Sequence, residues 1–496
     1  MKLLVRKPEL VFFLVAIYCL ISVTVRLLRQ ESLEIDESEQ AFLSQFFLAG
    51  YGTQPPLYNW LQYIVSGMFG ISVATLTIVK NGFLLCALFF YGLAARAIIS
   101  DRALSMMAML GILTVPAIFL LVQRDLSHTV AALFTVSLFL YGFLETLKTP
   151  RLSTYLMTGL AVGLGVLAKY NFVVIPVAAV IAILPDPELR KRLFDWRVLL
   201  AAAAAFVVAA PHIYWVFSNL ALASGGTISE MKEGAESAVL PHVFHGLLAL
   251  CIAIVKSIAI PAAVFGLVFY GHLKEIAKAE SQWTRVTGRM LVACLVIVAV
   301  IVIGIQATHV REKWLVLFII LTPLYLAAKI DAAHIEASPR LPKFVGIVAF
   351  LSVGTILMLF ASVYAGPMIG RYSFAHTPYS DFTHSVLNDR DAKPSGVVVD
   401  DRILAGNLKI EFPDTPVFLT YFPAEIGTLP VPAGLLLAVW SAEGDDRQSI
   451  PPNIIAFLAK NGIAAERLES RFLSIPYHRG KSGDTYRFGY SWIERP

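Results

Sequence analysis

Long apolar runs recur along this chain, separated by short polar connections. A segment needs roughly 17–25 predominantly apolar residues to cross about 30 Å of hydrocarbon, and stretches of that kind fall near residues 10–28, 73–95, 103–122, 127–147, 152–168, 171–184, 198–217, 242–270, 290–306, 313–329 and 343–365. The pattern predicts about eleven transmembrane helices. The 171–184 stretch is short, and its alternative reading as one broken span with 152–168 makes the count even. The first run follows MKLLVRK and leads into RLLRQES with no small-residue cleavage site, so it is read as a retained helix and not a signal peptide.

Lys and Arg in short loops accumulate on the cytoplasmic side. With the N-terminus inside, eighteen fall in cytoplasmic loops and seven in outer loops before the tail, which favours the odd count and an external C-terminus.

Two regions break the pattern. Residues 29–72 form a long outer loop whose apolar residues recur at helical spacing, as in amphipathic helices lying in the membrane interface. From about Arg371 the composition turns soluble. There GVVVD, PVFLTY, GLLLAVW, FLSIPYH and TYRFGYSWIE read as strands, and DDRILAGNLKI and PPNIIAFLAKNG as helices. The expected organisation is a membrane domain over residues 1–370 and a small α/β extracytoplasmic domain over residues 371–496.

Composition agrees with this pattern. Of 496 residues, 57% are hydrophobic and 15% charged, against about 25% charged in soluble domains, so a soluble cytosolic enzyme and a disordered chain are both excluded. The net charge of +5 reflects loop residues and points to no nucleic acid partner. Cys19, Cys86, Cys251 and Cys294 all sit in apolar runs with no metal-ligand spacing, and read as small membrane hydrophobes.

Candidate chemistry lies on the expected outer face. IDESEQ gathers Asp36, Glu37 and Glu39 just past the first span, where a carboxylate can take a proton from an acceptor hydroxyl; a helix start favoured by the dipole is the alternative. Asp125, in VQRDLSHTV, sits at the next outer turn, placed either to converge with Asp36 or to cap the following helix. His128, one turn later, reads as a polar helix-end residue. Lys169-Tyr170-Asn171 and His309-Val-Arg311-Glu312-Lys313-Trp314 add cations of the kind a departing phosphate needs, although either cluster taken singly also reads as headgroup contact. Lys80 and Lys256 lie inside expected spans, where a cation needs a partner or a cavity.

IDESEQAFLSQFFLAGYGTQPPLYNWLQ resembles the first outer loop of membrane glycosyltransferases related to the protein O-mannosyltransferases and the lipid A aminoarabinose transferase. RDLSHTVAALFTVSLFLY, GLAVGLGVLAKYNFVVIPVA, PHIYWVFSN, REKWLVLFIILTPLYLA and VVVDDRILAGNLKIEFPDTPVFL follow in the order of family segments. The resemblance implies a GT-C fold with an outer-face active site and a polyprenyl-phosphate sugar donor. It places the proposed base on Asp36 with Glu37 beside it, and the second-turn carboxylate on Asp125, which Leu-Ser-His follows here in place of the family's small residue and Pro. Lys169, Arg311 and Lys313 correspond to phosphate-binding cations, and Gln54, Tyr58, Tyr170 and His309 to substrate-pocket residues.

The implied activity is inverting transfer, in the inner membrane of a bacterium, to an envelope acceptor such as lipid A or lipopolysaccharide core, with a uronic acid among the candidate sugars. No cofactor is required and no metal ligand set is implied, although a divalent ion is compatible with such a site. The rival class is a polytopic transporter or flippase of lipid-linked sugars, which needs neither the Asp36 carboxylate nor an external α/β domain.

Overall fold

The computed structural model describes residues 2–29, 32–232, 242–390, 392–423, 428–444, 449–463 and 468–495, so residues 30 and 31, within the expected first outer loop, lie outside the described residues. The protein is a polytopic helical membrane protein with a small C-terminal mixed sheet. Among the described residues, eight helices are long and apolar enough to cross a membrane: Leu10–Leu28, Val73–Ile98, Ser127–Lys148, Arg197–Ser218, Val243–Val268, Gln282–Gly304, Glu312–Ala332 and Ser338–Met368. Three further expected spans are the shorter apolar helices Arg102–Thr114, Leu152–Ala168 and Tyr170–Ile183. Of the eleven expected spans, eight are thus long helices among the described residues, Leu152–Ala168 lies at the lower limit of length, and Arg102–Thr114 and Tyr170–Ile183 fall short of it.

The shortfall has local causes. The expected span at 103–122 is cut at Pro116, which forces Val115 into an extended conformation (φ −70°, ψ 121°) and starts a new six-residue helix. The stretch from 152 to 184 is cut at Lys169, whose φ of −162° and ψ of 136° are those of a strand residue.

The chain divides into two compact units, one of residues 1–20, 49–58 and 80–355, the other of residues 21–48, 59–79 and 356–496. In the first, helices approach closely where side chains are small. A Cβ on Gly159 would stand 2.2 Å from the Ala201 carbonyl oxygen, and one on Gly163 2.8 Å from that of Ala205. This four-residue spacing of glycines is the means by which membrane helices pack without a hydrophobic driving force between them. Phe206, Val207, Tyr214 and Phe217 on the helix Arg197–Ser218 stand outward, as side chains facing lipid do. All four cysteines are free thiols on membrane helices, Cys19 and Cys294 buried, Cys86 and Cys251 exposed on outer helix surfaces.

The second unit is built on five strands, β1 (Gly396–Val399), β2 (Val417–Leu419), β3 (Gly434–Ser441), β4 (Arg471–Pro476) and β5 (Thr485–Arg495), in the order β2-β1-β3-β5-β4. β1 is parallel to both neighbours, pairing Val398 with Phe418 and with Ala438, whereas β5 runs antiparallel to β3 and β4. Every residue of β1 is buried, which explains its uninterrupted apolar sequence. Trp440, Leu436, Ile454 and Leu458 pack into the core on one face. Phe382 stacks on Phe488 at 4.3 Å between ring centres.

Candidate functional site

The acidic motif IDESEQ forms the helix Ile35–Leu43, with Glu34 at its N-cap and Asp36 and Glu37 in its first turn, where negative charge is favoured by the helix dipole. Its three carboxylates have different fates. Glu37 is 3% exposed and accepts from Arg26 Nε at 3.0 Å, from Arg26 Nη2 at 2.7 Å and from the Glu34 backbone N–H at 3.1 Å. It is thus the partner of a buried guanidinium at the end of the first span, and Arg26 also donates to the Ser32 carbonyl at 3.1 Å. A second ion pair, Arg29 to Glu34 at 3.0 Å, flanks it. Asp36 is partly exposed. Glu39, one turn on, is 26% exposed and stands 3.7 Å from Arg402. Burial pushes its carboxyl above the usual carboxylate range; Arg402 opposes that shift and the like charge of Asp36 adds to it.

The helix Arg402–Glu411, from the C-terminal segment DDRILAGNLKI, holds this acidic helix in place. A Cβ on Gly406 would lie 2.1 Å from the Ser38 carbonyl oxygen, so only glycine permits the observed approach of the two backbones. One residue later, Asn407 accepts from the Leu33 backbone N–H at 2.8 Å and donates to Ser38 Oγ at 3.2 Å. Gln45, just past the acidic helix, pairs with the edge strand β2, donating to the Val417 carbonyl at 2.9 Å and accepting from the Val417 N–H at 3.2 Å. An otherwise open sheet edge is thereby covered by the segment that follows the first span. Asn59 donates to Gln40 at 3.0 Å from the loop's second helix, Leu57–Phe69.

The other candidates belong to the membrane unit. The GYGTQPP turn closes through the Tyr51 N–H to the Gln54 carbonyl at 3.3 Å. It lies beside a stack of rings in which Tyr170 faces His212 at 5.6 Å and His212 faces Trp215 at 5.8 Å. His212 Nδ1 lies 2.7 Å from the Ala49 carbonyl, the Tyr170 hydroxyl donates to the Gly52 carbonyl at 3.4 Å, and a Cβ on Gly50 would overlap the Trp215 ring. Tyr58 is buried, its ring against Phe83 and His128. Asp125, 20% exposed, is paired with Arg124 at 2.9 Å, and the next residue, Leu126, has a φ of 71°, a left-handed conformation costly for a branched side chain. The turn is anchored by buried Lys80, which reaches the Arg124 carbonyl at 3.5 Å.

Lys169 donates to Thr129 Oγ1 at 2.9 Å, and the strand-like backbone that ends its helix is what presents it there. Asn171 donates to the Trp314 carbonyl at 3.1 Å. The Arg311 guanidinium lies 5.8 Å from the Trp314 ring centre, and His309 meets the same ring edge-on at 6.3 Å. Tyr170-Asn171 and the 309–314 segment are thus brought together around Trp314, with Lys313 partly exposed in the same turn. Lys256 finds its partner in Glu312, at 3.1 Å.

Asp36 and Asp125 fall in different units. Among the described residues, no group of three or more His, Cys, Asp or Glu is gathered to hold a metal ion. Sequence reading left out Arg26, Arg402, His212 and Trp215 as site-forming residues. The clustered carboxylates are visible in the sequence, but the cations that face Glu37 and Glu39 come from the end of the first span and from the C-terminal segment.

Residues 53–215 match the family described as dolichyl-phosphate-mannose-protein mannosyltransferase. Two lipopolysaccharide core galacturonosyltransferases of Rhizobium johnstonii are similar over almost their whole length. RgtB is 39% identical across 98% of this chain and 98% of its own, and RgtA 39% identical across 97% and 96%. The crystal structure of ArnT from Cupriavidus metallidurans bound to undecaprenyl phosphate shares the fold, with a TM-score of 0.61 at 13% identity, covering 98% of this chain and 97% of that one. From this agreement of sequence and fold, the chain belongs to the GT-C membrane glycosyltransferases, in the bacterial envelope branch that includes the lipopolysaccharide core galacturonosyltransferases.

Proposed function

We propose that this membrane glycosyltransferase transfers galacturonic acid from a polyprenyl-phosphate donor to a sugar hydroxyl of the lipopolysaccharide core, with inversion at the anomeric carbon. The observation carrying the reading of sugar and acceptor is the 39% identity, over 98% of both chains, to a core galacturonosyltransferase. A polyprenyl donor is supported by the fold shared with a transferase that binds undecaprenyl phosphate.

In this proposal Asp36 removes the proton of the acceptor hydroxyl as its oxygen forms a bond to the anomeric carbon. The bond from that carbon to the phosphate oxygen breaks, and its electron pair leaves with the polyprenyl phosphate. A single displacement inverts the centre and needs no covalent enzyme intermediate. Lys169, Arg311 and Lys313 are assigned to the phosphate, where fixed cations in a water-poor site stabilise developing negative charge. Asp125 is assigned as the second carboxylate, and Gln54, Tyr170 and His309 as substrate-pocket residues. Tyr58, expected in the pocket, is reassigned to supporting the loop that carries Gln54, because its ring is buried against Phe83 and His128.

Glu37 is reassigned from chemistry to positioning, because its carboxylate is taken up by Arg26 and the Glu34 N–H. The proposal orients residues 1–370 as the membrane domain with a cytoplasmic N-terminus, and residues 371–496 as a periplasmic domain.

The test is reconstitution of the purified chain with polyprenyl-phosphate galacturonate and lipopolysaccharide core, following release of polyprenyl phosphate and the anomeric configuration of the product by NMR. Release coupled to an inverted linkage is expected. A nucleotide-sugar requirement or a retained linkage overturns the mechanism.

A further inference from the structure

Away from all of these residues, the membrane unit carries a groove of ≈ 800 Å³ along one stripe of the helix Gln282–Gly304. Arg285, Gly288, Arg289, Val292 and Val296 succeed one another on that stripe, and Ile181 and Pro185 on one side and Tyr325 and Lys329 on the other form the walls. The stripe from Arg285 to Ile297 rises about 18 Å at about 1.5 Å per residue, slightly more than the depth of one leaflet's share of a roughly 30 Å hydrocarbon core. The groove thus has the length of a single acyl chain.

Its two ends differ in chemistry. The far end is apolar, with Val292 and Val296 more than half exposed. The near end, within two turns of the helix start, carries Arg285, Arg289 and Lys329 against one carboxylate, Glu280. The three cations are not equivalent. Lys329 donates to the Ala277 and Ala279 carbonyls at 2.9 and 2.5 Å and so closes the end of a neighbouring helix. Arg285 shares the field of Asp186, whose carboxylate is already held by Gln282 at 3.0 Å. Arg289 has no hydrogen bond or ion pair among the described residues. A long cationic side chain near a span's end reaches toward headgroup level, and here it does so at the mouth of an apolar groove. Gly288 keeps that mouth open, since a Cβ there would come within 3.0 Å of the Tyr325 ring.

We propose that this groove is a binding site for an anionic glycerophospholipid, its phosphate held by Arg289 and Arg285 and one acyl chain laid along Val292, Val296 and Ile181. The excess of positive charge at the mouth selects an anionic headgroup, and the leaflet-deep apolar floor selects a lipid over a soluble phosphate. Nothing in this inference depends on the sugar or acceptor proposed above.

The test is native mass spectrometry of the full chain, titrated with phosphatidylglycerol, phosphatidylcholine or undecaprenyl phosphate. Phosphatidylglycerol is expected to bind in preference to phosphatidylcholine. Arg285→Ala with Arg289→Ala should weaken the phosphatidylglycerol adduct roughly 25-fold, about fivefold per arginine, and Val296→Trp, which fills the floor without touching a charge, should abolish it. Arg289→Gln alone keeps the test available should the double variant not fold, and thermal unfolding of each variant checks folding. Equal binding of the two phospholipids, or adducts insensitive to Arg289, overturns the proposal. So does undecaprenyl phosphate bound with the same sensitivity to these variants and displacing phosphatidylglycerol, which makes the occupant the prenyl lipid instead.

Discussion

Truncating Glu37 should be among the most damaging single changes near the acidic helix, and the reason is the state in which it leaves Arg26. Both side chains are at least 95% buried, and the guanidinium donates to Glu37 through two nitrogens at 3.0 and 2.7 Å. Glu37→Ala strands a buried cation and unpairs the Glu34 N–H. Arg26→Met strands the anion. Breaking a buried pair from either side costs about 3–5 kcal/mol, whereas replacing both partners with apolar groups of similar volume is often close to neutral. The double variant Arg26→Met with Glu37→Leu still forfeits the bonds to Ser32 and Glu34, so it should lie below the wild type but above either single variant. Denaturation in mixed micelles, read by tryptophan fluorescence, measures all four corners of the cycle. Single variants within about 1 kcal/mol of wild type, or a double variant whose loss equals the sum of the singles, refute the assignment of this pair as a buried, mutually dependent unit.

Other expectations follow from the same contacts. Gly406→Val should push the C-terminal helix off Ser38, costing about 1–3 kcal/mol as overpacking does and lowering transfer activity through displacement of Asp36; unchanged unfolding and activity contradict the close approach. Glu39 has a raised carboxyl in the folded state, so folding binds its proton more tightly; the stability it contributes is full below the ordinary carboxylate range and is lost as pH rises through the raised value. Wild type should therefore lose stability relative to Glu39→Gln over that window, and a pH-independent difference in melting temperature rules this out. Gly50→Ala forces a Cβ into the Trp215 ring and should impair activity strongly, while Gly67→Ala, with open space around its Cβ position, should not.

Much of the architecture was legible in the chain because its signals are local. Apolar runs marked the membrane helices, and the strand-like runs from GVVVD to TYRFGYSWIE became the five strands of the sheet. Span lengths were less legible, because mean apolarity does not register the backbone. Pro116 and the strand conformation of Lys169 shorten helices whose composition alone looks long enough. The acidic motif announced itself by its charge density, but which carboxylate is buried depends on Arg26, eleven residues earlier in the chain, and on Arg402, several hundred residues later. Gly406 and Asn407 are unremarkable in a helix read singly, and acquire meaning only where two distant backbones meet. His212 lay inside a run read as a simple span, and its contact with Ala49 is a tertiary fact with no periodic signature.

The central claim is that the chain adds a uronic acid to lipopolysaccharide core with Asp36 as the base. The most direct measurement is mass spectrometry of lipid A and core from cells lacking the native gene and expressing either the wild-type chain or Asp36→Asn at matched levels. The account predicts a mass increase of a hexuronic acid on the core for wild type, and none for the variant. The same increase in both strains contradicts the role of Asp36, and a core unchanged by the wild-type chain contradicts the proposed transfer itself.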